Sequence, residues 1–140
     1  MNFYLLWLRL ACIFTIMTGI TSLLASYPTT DFVWRELFNL LNLYASNINF
    51  DSTSRALNAV LGGVMIGWGW MMFCLSHPKI FNESIRKIML SALIIWFLTD
   101  SLGSYASGLV MNIVLNVVFL CLFLIPLVIL KEKDLVNLNN

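Results

Sequence analysis

Residues 109–130 read LVMNIVLNVVFLCLFLIPLVIL, 22 positions without an acidic or basic side chain. At about 1.5 Å rise per residue this stretch reaches about 33 Å as a helix, enough to cross a hydrocarbon core about 30 Å thick. Three other segments have the same character: about Phe3 to Ser26, about Ala56 to Ser76 and about Ile88 to Tyr105. Apolar residues run continuously in all four, without the period-2 alternation of a membrane barrel strand. In lipid that leaves the helix, which satisfies its own backbone. The expected fold is therefore an all-α polytopic membrane protein. It is read as one transmembrane domain over residues 1–140, with four spans in an antiparallel bundle.

Composition agrees. Of 140 residues, 60% are hydrophobic and 11% charged, against roughly half and a quarter in soluble domains. Mean hydropathy is +0.87. A soluble enzyme, a disordered chain and a disulfide-stapled module are excluded. The net charge of +1 lacks the basic face of a nucleic-acid binder. Near the N-terminus, only Arg9 lies in the first apolar stretch, and Leu24-Ala25-Ser26-Tyr27 offers no clear A-x-A cleavage site. The first segment is expected to be a retained helix rather than a signal peptide.

Basic residues give the orientation. Arg9, Lys79, Arg86, Lys87, Lys131 and Lys133 fall on one side of the four-span plan, and Arg35 and Arg55 on the other. Six against two is expected to place both termini in the cytoplasm. The loop from Tyr27 to Arg55 is then extracytoplasmic. Its first part, Asp31 to Tyr44, is too short and too polar to span. Thr30 or Asp31 is a candidate helix cap there, and Trp34 and Tyr44 suit the headgroup zone. The segment reads either as an interfacial helix or as a membrane-hugging loop. Asn47 to Ser54 is a polar turn.

Small residues mark helix contacts, because lipid supplies no hydrophobic drive between helices. Ala59, Gly63 and Gly67 recur every four residues in the second span, with Gly62 and Gly69 beside them. Ala11, Thr15 and Gly19 do the same in the first. Packing inside the bundle explains such stripes, and homodimerisation is the alternative. Cys12, Cys74 and Cys121 lie within spans and read as small apolar residues. No metal or other cofactor is expected. Asn82-Glu83-Ser84 matches a glycosylation sequon, but on the cytoplasmic side of this plan it carries no meaning.

The informative polar residues sit in the later spans. Trp96, Asp100 and Ser104 share one helix face, with Thr99, Gly103 and Ser107 adjacent; Gly108, Asn112 and Asn116 share another. Arg55 and Asn58 open the second span at the same depth. A charge at the membrane centre costs about 2.5–3.5 kcal/mol, so Asp100 is expected to pair with Arg55, directly or through Asn58 and Asn112. Trp68 and Trp96 fall near mid-membrane, and their indole N–H groups need acceptors. Asn116 is the candidate for Trp96. Arg55, Asn58, Trp68, Trp96, Asp100, Ser104, Asn112 and Asn116 thus form either a structural network or a pocket for a small lipophile.

A resemblance joins these residues. Leu61-Gly62-Gly63-Val64-Met65-Ile66-Gly67-Trp68-Gly69 resembles the second-helix signature of a family of small bacterial four-helix membrane proteins without an established activity. Trp96-Phe97, Asp100-Ser101, Ser104, Gly108, Asn112, Asn116, Phe119 and Pro126-Leu127 resemble its second half in order and spacing. The similarity covers about Arg55 to Leu130. It implies the four-helix architecture and no mechanism. The plan is also similar to that of DoxX-like membrane proteins, by analogy of fold alone.

Two classes of function follow. One is a non-enzymatic membrane protein, either a lipophile binder or an accessory subunit of a larger membrane complex, with membrane lipids around it. The other is a membrane-embedded enzyme acting on a lipid or quinone, with Asp100 as acid or base. Asn112 and Tyr105 are weak second groups for such chemistry. A transporter or proton path is disfavoured, because one carboxylate with none deeper makes a poor relay.

Overall fold

The computed structural model describes residues 2–40 and 51–130. Five helices follow one another: α1 (Phe3–Leu24), α2 (Phe32–Leu40), α3 (Ser52–Leu75), α4 (Glu83–Ala106) and α5 (Val110–Ile129). No strand occurs among the described residues. Helices α1, α3, α4 and α5 are each long and apolar enough to cross a membrane. Most of their surface is apolar and open, with Phe14, Val64, Ile95 and Val118 all exposed. In water such faces would drive aggregation; in a bilayer they meet acyl chains.

Two helices start earlier than hydropathy suggests, and polar caps are the reason. At α3, the Asp51 carboxylate accepts hydrogen bonds from the Ser54 backbone N–H and hydroxyl, each at 2.7 Å. The Ser54 N–H, above all, holds the Asp51 carboxyl below its usual range. At α4, Asn82 Oδ1 accepts from the Ile85 N–H at 3.0 Å. Each cap satisfies a donor that the first helical turn leaves over, so the helix runs out past its apolar stretch. The sequon asparagine is thus a helix cap. Asn82→Ala should cost about 1 kcal/mol, read as a lower midpoint in reversible unfolding from mixed micelles. An unchanged midpoint would refute that role.

The turn from α4 to α5 needs a glycine. Gly108 has φ +74°. The Leu109 N–H reaches the Ser104 carbonyl, and the Gly108 N–H reaches that of Tyr105. These two bonds form the Schellman closure of a helix, which places its left-handed residue here. Gly108 therefore ends α4 and is not part of the α5 face that carries Asn112 and Asn116.

Packing divides the chain into two compact units, Met1–Cys12 with Met72–Asn140 and Ile13–Met71. In the first, α4 and α5 are a packed pair. Ser104 meets Asn112, Ser101 meets Asn116 and Arg86 meets Leu127. Partner numbers fall on α4 as they rise on α5, so this pair is antiparallel. Its buried apolar residues include Met89, Leu93, Phe123 and Leu127. Arg9 lies over the Phe73 ring at 4.0 Å and is half-buried.

In the second unit, α1 and α3 touch through glycines. A Cβ built on Gly62 would lie 2.7 Å from the Gly19 carbonyl oxygen and 2.7 Å from the Leu23 backbone nitrogen. One built on Gly19 would lie 2.9 Å from the Ile66 nitrogen. Cβ atoms at Gly63 and Gly67 would meet nothing within 4 Å. The close approach therefore runs through Gly19 and Gly62, while Gly63 and Gly67 of the expected stripe look outward and Ala59 is half-buried. The first-span stripe is placed as expected, with Ala11, Thr15 and Gly19 all buried.

Candidate functional site

The polar residues fall into two groups, one in each unit. In the 13–71 unit, Asp31 is the hub. It lies just before α2, and its backbone carbonyl accepts the Arg35 N–H. Its carboxylate was a candidate cap for α2 but is used otherwise. Arg35 Nη2 donates to Oδ1 at 2.8 Å and to Oδ2 at 2.7 Å, and Arg55 Nη2 donates to Oδ2 at 2.7 Å. Asp31 is only 2% exposed, so water contributes little to its solvation. The Arg35 guanidinium first, then Arg55, hold its carboxyl below the usual range, against burial, which raises it. The described carboxylate bonded to Arg55 is thus that of Asp31; Asp100, with which Arg55 was expected to pair, lies in the other unit. Asp31 and Arg35 had a visible signal in their i, i+4 spacing. The link to Arg55, 24 residues on, had none.

Asn58 sits nearly two turns into α3. Its Nδ2 donates to the Ser54 carbonyl at 2.9 Å. Ser22 Oγ, buried in α1, lies 3.2 Å from the Asn58 carbonyl oxygen and 3.3 Å from its Oδ1, a donor shared between two acceptors. Thr30 Oγ1 donates back to the Leu24 carbonyl at 2.7 Å, covering an acceptor at the end of α1. Trp68 is half-buried on α3. Tyr44, the second expected headgroup aromatic, lies outside the described residues, as do Asn47 to Phe50, Lys131 and Lys133.

In the other unit, Asn112 Nδ2 donates to Ser104 Oγ at 2.8 Å, and Asn116 Nδ2 makes a longer 3.4 Å contact with Ser101 Oγ. Ser104 and Asn116 are buried and Asn112 half-buried. The Asn116 Nδ2 is thus directed to Ser101. Trp96 packs on Phe119, ring centres 5.5 Å apart, and Phe119 packs on Phe123. At the opposite end of this helix pair, Arg86 donates to both oxygens of Glu83 at 2.7 Å and to the Leu127 carbonyl at 2.9 Å. Leu127 lies in the last turn of α5, whose carbonyls have no partner within the helix. A guanidinium there is favoured by the helix dipole as well. In the sequence Arg86 counted only as a topology charge; the i, i+3 spacing from Glu83 was the available hint.

Asp100 differs from the rest. It is half-exposed on α4. Among the described residues it makes no ion pair and no side-chain hydrogen bond. Helix α4 has 24 residues, about 36 Å. Centred on a core of about 30 Å, it leaves Asp100 about 6 Å inside the hydrocarbon edge nearer Ala106. Comparison of the chain with protein-family models, with curated proteins and with solved structures gave no match.

Proposed function

We propose that the chain is a multi-pass protein of the bacterial inner membrane, an antiparallel four-helix bundle with both termini cytoplasmic. It serves without catalysis as an accessory or scaffold subunit of a larger membrane complex. The observation that carries this reading is the use of its polar side chains. Asp31 with Arg55, Ser22 with Asn58, and Ser104 with Asn112 each tie one segment to another. Polar groups spent on helix-to-helix contacts fix register, and fewer remain to face a ligand. The outward faces are apolar and carry small residues, Gly63, Gly67 and Gly103 among them, where a neighbouring helix can approach closely. Helix α2 exposes Phe32 and Val33 and suits the membrane interface. The resemblance to small bacterial four-helix membrane proteins is in keeping with this architecture.

Mass spectrometry of the gently extracted protein tests the proposal. Other membrane proteins should accompany the chain in fixed ratio. A chain that emerges alone with one tightly held lipophile would overturn the scaffold reading in favour of a binder. Reporter fusions at both ends should read out in the cytoplasm.

A further inference from the structure

We propose that Asp100 is the recognition point for a transmembrane helix of another protein that carries a Lys or Arg within its span. The inference rests on the accessory-subunit reading and names what the partner must contain. Asp100 is an ionisable side chain within a candidate span, half-exposed and, among the described residues, without an ion-pair or hydrogen-bond partner. Ionisable side chains inside membranes are paired with one another or with backbone carbonyls, or face water. Of the other described carboxylates, Asp31 has two arginines, Glu83 has Arg86 and Lys87, and Asp51 accepts from Ser54; Asp51 and Glu36 are exposed and lie outside the apolar stretches.

The surface beside Asp100 admits a helix. Thr99 and Gly103, four residues apart, are both exposed. A Cβ at Gly103 would meet nothing within 4 Å. Ala92 and Ala106 continue the exposed small residues along α4. A second helix can therefore approach α4 closely enough to bring its own side chain to the carboxylate.

The charge selects among occupants. A second copy of this chain docked on the same face across a two-fold axis would set Asp100 against Asp100, an unfavourable like-charge contact. A lipid ammonium group stays in the headgroup layer, above a carboxylate about 6 Å inside the core. A Lys or Arg on a partner span can lie at the same depth, and each of the two charges then removes the other's cost of burial.

The test uses the full chain in phosphatidylcholine vesicles and a synthetic Leu/Ala span with one Lys at the depth of Asp100. Energy transfer between labelled chain and labelled span reports association. The Lys span should bind about tenfold more tightly than the same span without Lys, a factor equal to about 1.4 kcal/mol. Asp100→Asn should remove the preference while leaving helix content and thermal midpoint unchanged. Asp100→Lys should transfer it to a span carrying Glu. The proposal is overturned if Asp100→Asn keeps the preference for Lys, or if the Lys span binds no better than its control. Self-association of the chain that depends on Asp100 would also overturn it, in favour of a second copy. The scaffold reading fails separately. Natural partners that still accompany the Asp100→Asn chain leave that reading intact and exclude this one. A Lys preference in vesicles, without any partner on gentle extraction, supports this inference and removes the scaffold.

Discussion

Gly62→Ala should destabilise the protein by about 2–3 kcal/mol, the upper part of the range for an overpacked site. The added methyl would lie 2.7 Å from the Gly19 carbonyl oxygen and 2.7 Å from the Leu23 nitrogen. Ordinary contact needs about 3.5 Å or more. Both neighbours are backbone atoms of α1, which no rotamer change can move aside. The helices must separate, and the small-residue approach between Gly19 and Gly62 is lost along its length. Intrinsic preference runs the other way, since Ala is favoured over Gly in a helix interior by about 0.5–1 kcal/mol. The steric term should outweigh it. Gly63→Ala and Gly67→Ala supply the control: their methyl groups meet nothing within 4 Å, so each should be neutral or slightly stabilising. Reversible unfolding of the three variants in bicelles would measure this. Equal midpoints for all three would show that α1 and α3 do not meet through Gly62.

The contrast between Gly62 and Gly63 shows how far the sequence could be read. Long apolar runs state their structure directly, because only a helix satisfies the backbone in lipid; all four spans were legible. Helix starts were less so. Hydropathy ends where polar residues begin, but Asp51 and Asn82 act through backbone donors that hydropathy ignores. Within the 13–71 unit α3 meets α1 through Gly62, one position from the stripe Ala59, Gly63 and Gly67. Ala59, Gly63 and Gly67 repeat every four residues, whereas Gly62, the glycine in contact, has Asn58 and Ile66 at that spacing. Spacing alone cannot say which stripe meets a neighbour. The antiparallel meeting of Ser104 with Asn112 was legible, since the turn at Gly108 is short and the polar residues lie at matching distances from it. Arg55 with Asp31 was not. The two lie 24 positions apart in sequence, and Asp31 had a plausible local role as a cap. A buried carboxylate takes the strongest partners within reach, and here those were two guanidinium groups rather than backbone N–H groups.

Asp31→Asn should be among the most damaging single substitutions in the extramembrane part of the chain, with a fall in thermal midpoint comparable to that of Gly62→Ala. The carboxylate is buried and accepts three guanidinium hydrogen bonds. The amide keeps the shape, loses the charge and turns one acceptor oxygen into a donor that faces a cation. Arg55 suffers more than Arg35, because its side chain is 20% exposed against 44% and water replaces less of what is lost. Acid should act on the same bond. The two arginines hold the Asp31 carboxyl below its ordinary value, which lies at about 3.9 in the unfolded chain. A carboxyl lowered by folding contributes stability that is fully present above the unfolded value. The contribution fades as pH falls through the folded value, once the native state must take up the proton as well. Wild-type stability should therefore drop below about pH 4. Asp31→Asn should lack that part of the drop, so the two stability curves should converge as pH is lowered. Asp51, whose carboxyl is also lowered, contributes the same slope to both proteins and cancels in the difference. Parallel curves from pH 7 to pH 3 would mean that Asp31 carries no charge-dependent bond to Arg35 and Arg55. Arg55→Gln gives the reciprocal check. If the contact is the source of the effect, its loss and that of Asp31→Asn should not add in the double variant, because both remove one shared interaction.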